Sequence, residues 1–146
     1  MDMKEFMNAA IEEAKLGLQE GGIPIGSVLV RDGNIIGRGH NRRIQHDDPL
    51  AHAEIECLRD VGRIGSYAGT ILFSTLMPCY LCSGAIAQFG IEKVVIGESR
   101  TFQGDREFLK DHWVELEDWD MDECIEMMEE FIKNNPTLWN EDIGKL

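Results

Sequence analysis

The sequence predicts an α/β fold, a three-layer α/β/α sandwich around a central mixed five-stranded sheet. Three observations predict it. Apolar residues recur at helical spacing in four separate stretches. Short apolar runs with strand character alternate with those stretches, the order that places helices on both faces of a sheet. The first two runs are joined by Asp32-Gly33, a hairpin turn signal, whereas the later ones are separated by helices. A hairpin makes an antiparallel pair and a helical crossover makes a parallel one, so the sheet has to be mixed.

Residues 3–20 place Met3, Phe6, Met7, Ala10, Ala14 and Leu18 on one helical face, and Gly21-Gly22 ends that helix. Ile25 to Val30 reads as a strand and Asn34 to Gly39 as its return. A polar loop runs from Asn41 to Pro49. Helix is expected from about Ala51 to Arg59, a short buried strand from Thr70 to Thr75, and a helix from Pro78 to Gln88. Lys93 to Gly97 is another buried strand, and His112 to Glu117 is a further or edge strand. Met121 to Lys133 is helical, with Cys124, Ile125, Met128, Phe131 and Ile132 on one face. Asn135-Pro136 is expected to end it and leave a tail.

The 146 residues are 43% apolar, enough for a single packed domain over 1–146. No apolar run approaches the roughly 20 residues of a membrane helix, and the N-terminus lacks a basic-then-apolar leader pattern, so no membrane partner and a cytoplasmic location are expected. The formal net charge is −13, from 27 acidic and 14 basic residues. Such a surface repels phosphate backbones, which argues against nucleic acid as a partner and leaves a small uncharged or cationic substrate. Disulfides are not expected inside a cell. Cys57 and Cys124 fall in apolar helical patterns and read as core. Cys79 and Cys82 stand at metal-ligand spacing.

The helix opening at Pro78 carries the chemistry. Proline suits a first helical position. Cys79 and Cys82, three apart, then share one face of the first turn, where the helix dipole favours thiolate. His52 lies at the start of the preceding helix. His52, Cys79 and Cys82 make three ligands for Zn2+, one ion per chain, and three is the count that leaves a fourth position open for water. Two thiolates offset the charge of the ion, so such a centre acidifies water less than a cationic one, and a nearby base is needed. Glu54, two residues from His52, can take that role. A closed structural site would need a fourth ligand, for which His40 or His46 is available.

His52-Ala53-Glu54 followed by Pro78-Cys79-Tyr80-Leu81-Cys82 carries the established H-x-E…P-C-x-x-C signature of zinc nucleobase deaminases. The chain resembles the zinc-dependent cytidine-deaminase-like superfamily. "EGGIPIGSVLV", "GRGHNRRIQ", "AHAEI", "PCYLCSGAI" and "WNEDIG" look most like its fungal-type cytosine deaminase branch, a group of small cytoplasmic homodimers acting on the free base. The resemblance implies hydrolysis of cytosine to uracil and ammonia, in salvage of pyrimidine bases. It implies His52, Cys79 and Cys82 as ligands and Glu54 as proton shuttle. It implies Asn41 gripping the pyrimidine edge and the Ala53 N–H meeting the ring carbonyl. Ile25, Phe102 and Trp139 would wall the ring, and Asp142 would face the leaving amino group. Residues 135–146 would lie over the active site. Three positions depart from the fungal pattern: Ala53 for glycine, Met77 for serine, and Tyr80 for an acidic residue. Met77 and Tyr80 sit beside the ligands, so the competing substrates are other cyclic amidines, namely guanine, creatinine, isocytosine or cytidine. A noncatalytic zinc-stabilised interaction module is the reading from another class.

Overall fold

In a computed structural model describing residues 2–145, the elements run α1 (Met3–Gln19), β1 (Gly26–Arg31), β2 (Asn34–His40), α2 (Ala53–Val61), β3 (Thr70–Ser74), α3 (Tyr80–Phe89), β4 (Lys93–Ile96), α4 (Arg106–Asp111), β5 (Glu115–Asp118), α5 (Asp122–Asn134) and α6 (Pro136–Asp142). The strands form one sheet in the order β2-β1-β3-β4-β5. β1 is antiparallel to both β2 and β3, while β3–β4 and β4–β5 are parallel. The sheet is mixed for the reason the turn signals give. Asp32 and Gly33 both take positive φ, 50° and 76°, the tight turn whose twist suits a two-residue hairpin.

Alternation along the strands makes the three layers. Val28, Val30, Phe73 and Val95 face α1 and α5, packing on Phe6, Met7, Ala10 and Cys124. Their neighbours Leu29, Leu72, Val94 and Ile96 face the other way, onto Cys57, Ile86 and Leu109 of α2, α3 and α4. A third cluster, with Ile23, Ile25, Ala53, Leu76, Met128, Phe131 and Trp139, seals one end of the sheet under α5 and α6. Cys57 and Cys124 are fully buried, as their helical positions predict.

α1 sits unusually close to β1. A Cβ at Gly26 would lie 2.0 Å from the Ala10 carbonyl oxygen and 2.5 Å from the Ala14 nitrogen. Both obstacles are backbone, so no side chain can swing aside. Gly26→Ala is expected to destabilise the fold by about 3 kcal/mol, the upper end of core overpacking. Urea unfolding checks this, and an unchanged midpoint would mean that α1 slides freely on the sheet.

Three local expectations are corrected. α3 begins at Tyr80, so Pro78 precedes the helix rather than opening it. α2 begins at Ala53 rather than Ala51. The tail after Asn135 is not a tail, because Pro136 occupies the first turn of α6. A proline that stops one helix starts the next at no hydrogen-bonding cost. Among the described residues, no helix is long and apolar enough to cross a membrane.

Candidate active site

Two helix N-termini build the site. The residue before a helix is normally Ser, Thr, Asp or Asn, whose side chain caps a free backbone N–H. Here the cap of α2 is His52 and the cap of α3 is Cys79, and neither side chain makes a capping bond. Both are spent on each other instead. His52 Nδ1 lies 3.5 Å from Cys79 Sγ. Cys82, two residues into α3, completes a group whose donor atoms all lie within 4.8 Å of one another.

The donors fit zinc. Zn–S near 2.3 Å and Zn–N near 2.0 Å at a tetrahedral angle put sulfur and nitrogen about 3.5 Å apart, the separation found. The protonation pattern fits as well. Hydrogen bonding from Cys82, against the cost of burial and with help from His52, pulls the Cys79 thiol down to about 4. The same shared proton, together with burial, drives the Cys82 thiol up. Burial opposes charge on His52, yet Cys79 and Asp142 outweigh it and raise the imidazole to about 9. Protons crowd a cluster that a divalent ion would satisfy better. Neither His40 nor His46 joins it. His40 is held by Glu13 and Glu20, 2.8 Å from each.

Glu54 is the second residue of α2 and is 4% exposed. Its Oε1 accepts hydrogen bonds from the Ser74 hydroxyl at 2.7 Å and the Ser27 hydroxyl at 3.3 Å. Burial pushes its carboxyl up, with the Cys79 thiolate adding to the effect. Both hydroxyls bind Oε1, which leaves Oε2 without a hydroxyl partner. Ser27 and Ser74 read in the sequence only as inward strand positions, and nothing in their spacing separates them from core.

Ile25, His52, Glu54, Leu76, Met77, Cys79, Phe102, Trp139, Asp142 and Ile143 line a narrow, partly open pocket of about 20 Å³. Phe102 and Trp139 meet edge to face at 6.1 Å. Met77 is buried, and its N–H donates to the Glu98 carbonyl at 3.0 Å. Next to this cavity, a mouth of about 410 Å³ is lined by His52, Cys79, Tyr80, Leu81, Phe102 and α6 residues. Larger depressions lie along α5 and between α2 and α3, away from the cysteines.

Asn41 and Ala53 are buried beside the site but are not part of the cavity wall. The Ala53 N–H is the first of α2, where no partner exists within the helix. The Asn41 amide is half used. Its Oδ1 accepts the Arg43 N–H at 3.0 Å while its Nδ2 has no partner, so the end left wholly free is the donor. Asp142 lies on α6 with its side chain 5% exposed, 3.1 Å from Arg43 Nε and 3.5 Å from His52 Nε2. Burial raises its carboxyl against the pull of those two cations. Arg43 had no signal in the sequence, because its partner is far along the chain.

The profile of the family described as "Cytidine and deoxycytidylate deaminase zinc-binding region" matches residues 1–98. A cytosine deaminase of Candida albicans is 40% identical over 147 residues, covering 99% of this chain and 98% of that protein. A tRNA-specific adenosine deaminase of Streptococcus pyogenes is 43% identical over 97 residues, spanning 64% of this chain and 61% of that one. A guanine deaminase structure from Bacillus subtilis superposes with a TM-score of 0.61 at 29% identity, over 79% of this chain and 72% of that one. These relatives are all deaminases and differ in the base they act on. The chain, with its zinc-binding cluster of His52, Cys79 and Cys82, belongs to the cytidine and deoxycytidylate deaminase family.

Proposed function

We propose that the protein hydrolyses the free base cytosine to uracil and ammonia. The observation that carries this reading is closure of the site by α6. Trp139, Asp142 and Ile143 lie over the pocket at Glu54 and narrow it to about 20 Å³, less than a base needs, so a ligand is taken in only as α6 gives way and is then covered by it. A base joined to a polynucleotide needs an open groove, whereas a free base can be sealed in. The formal net charge of −13 points the same way. So does the similarity to the Candida cytosine deaminase, which runs end to end and includes α6, whereas the tRNA deaminase match covers 64% of the chain.

His52, Cys79 and Cys82 hold the zinc, which when bound supplies the Lewis acidity that makes water a nucleophile near neutral pH. Glu54 Oε2 moves the protons: one to the ring nitrogen beside the attacked carbon, and one to the departing amine. Ser27 and Ser74 fix Oε1, so the carboxyl cannot rotate out of line. The Asn41 amide and the Ala53 N–H orient the ring, Asp142 accepts from the amino group, and Ile25, Met77, Phe102 and Trp139 hold the ring flat and exclude water. Substrate enters when α6 lifts and joins the cavity to its mouth.

Ammonia release by the zinc-loaded protein from cytosine, isocytosine, creatinine, guanine, cytidine and adenosine tests the reading. Cytosine is expected to dominate. A preference for another cyclic amidine would move the substrate and point to Met77 and Tyr80. Silence across all six, with zinc bound, would favour a noncatalytic zinc module.

The reading includes a homodimer working in the cytoplasm in pyrimidine salvage. α3 supports the dimer: Tyr80, Leu81 and Phe89 are 79%, 41% and 50% exposed on a short apolar helix. Sedimentation is expected to give twice the 16.5 kDa chain mass, and Phe89→Glu to shift the protein toward the monomer. A monomer throughout would leave that apolar face without a purpose.

A further inference from the structure

Three buried side-chain atoms among the described residues have no hydrogen-bond partner: Asn41 Nδ2, Gln45 Oε1 and Asp142 Oδ1. Two of the three belong to residues that touch Arg43. The backbone N–H of Arg43 donates to Asn41 Oδ1 at 3.0 Å, which turns the other end of that amide, the donor, loose. The guanidinium faces Asp142, with Nε 3.1 Å from Oδ1. That approach is an ion pair and not an aligned hydrogen bond, because the Nε–H is directed at the Pro49 carbonyl, 3.2 Å away. Arg43 therefore neutralises a carboxylate that is 5% exposed without consuming the acceptor capacity of its Oδ1. Its own side chain is 12% exposed, so the pair is shielded from solvent.

We infer that Arg43 is the positioning residue of the site, setting one free donor on Asn41 and one free acceptor on Asp142 while pinning α6 to the loop after β2. The inference rests on the deaminase reading of the same site. Unpaired buried polar atoms are costly, and a site keeps them when a ligand is to complete them. A ring with a carbonyl and an amino group on one molecule supplies the missing acceptor and donor. The ion pair joins the loop after β2 to α6, so it also governs whether α6 stays down.

Arg43→Gln and Arg43→Lys test this, both in a background in which Trp113 and Trp119 are replaced by Phe. The Trp113 indole is 90% exposed and Trp119 is half-buried, and both would mask the buried indole of Trp139 on α6. Neither Arg43 variant alters the backbone N–H, so Asn41 keeps its partner and the effect reports on the guanidinium. Arg43→Gln is expected to keep its zinc and thermal midpoint, to lose about 10- to 100-fold in kcat/KM for cytosine, and to make Trp139 more accessible to acrylamide. Arg43→Lys restores the charge and recovers part of both effects. Wild-type kcat/KM and wild-type quenching in Arg43→Gln would overturn the inference. So would loss of zinc or of the thermal midpoint to the same extent in both variants, because Arg43 would then be a folding residue. If the parent releases no ammonia from cytosine while Arg43→Gln still exposes Trp139, the clamp stands and the cytosine reading falls.

Discussion

Glu54→Gln is expected to lose on the order of 10²- to 10⁴-fold in turnover, the usual worth of a positioned general acid–base, while keeping its zinc. Glutamine still offers an oxygen to the Ser27 and Ser74 hydroxyls, so the geometry at Oε1 is preserved. What disappears is the second oxygen, the one left to carry a proton. Glu54→Ala is the harsher version and should also fold, because Ser27 and Ser74 are 3.1 Å apart and keep each other as partners. Ammonia release and metal content are the measurements. A variant that binds zinc and turns over at a near-native rate would remove Glu54 from the reaction and leave its burial beside two thiols unexplained.

Removing zinc is expected to be nearly as severe and to act on stability as well. A ligand at 100 to 1,000 times its dissociation constant stabilises the native state by about 2.7 to 4.1 kcal/mol. For a chain of this size each kcal/mol moves the thermal midpoint by about 2–4 °C, so a chelator should lower Tm by about 5–15 °C. The strain has a clear location. Without the ion, Cys79 and Cys82 share a proton under a buried carboxylate, at the junction of α2 and α3. Cys82→Ala should show the lowered midpoint already and should not respond to chelator, whereas Cys124→Ala should respond as the parent does. Identical midpoints with and without zinc would mean that the three side chains do not hold the metal in the folded state.

The order of strands and helices was legible because each long element repeats its apolar residues at its own period, and because Asp32-Gly33 can hardly be anything but a turn. Short elements escaped. α4 has six residues, and its one clear mark is Asp105, whose carboxylate takes the Phe108 N–H at 3.0 Å. α6 was hidden behind Pro136, which serves both as a stop and as a start. The positions of Cys79 and Cys82 could be placed together from local spacing, and His52 with Glu54 likewise. Groups recruited across the fold could not. Ser27 and Ser74 reach Glu54 from two different strands, and Arg43 meets Asp142 across about two thirds of the chain, so no window of sequence contains either relation. The half-used amide of Asn41 is of the same kind: its residue type was readable, but which of its two ends is free depends on a backbone N–H that only the folded loop brings near.

The outer strand β5 has a consequence for how the protein behaves when crowded. An unpaired strand margin invites a second chain to add on, and nature discourages that with short length and charge. β5 is four residues long, reads Glu-Leu-Glu-Asp, and turns Glu115 and Glu117 to solvent. Asp118 is already tied to Arg106 and the Ser99 hydroxyl, which fastens the far end of the strand. A neighbouring molecule approaching in register would bring a second row of carboxylates against the first. Molecules packed at high concentration should therefore resist fibrillar stacking along this margin, and should lose part of that resistance at high salt, which screens the repelling charges.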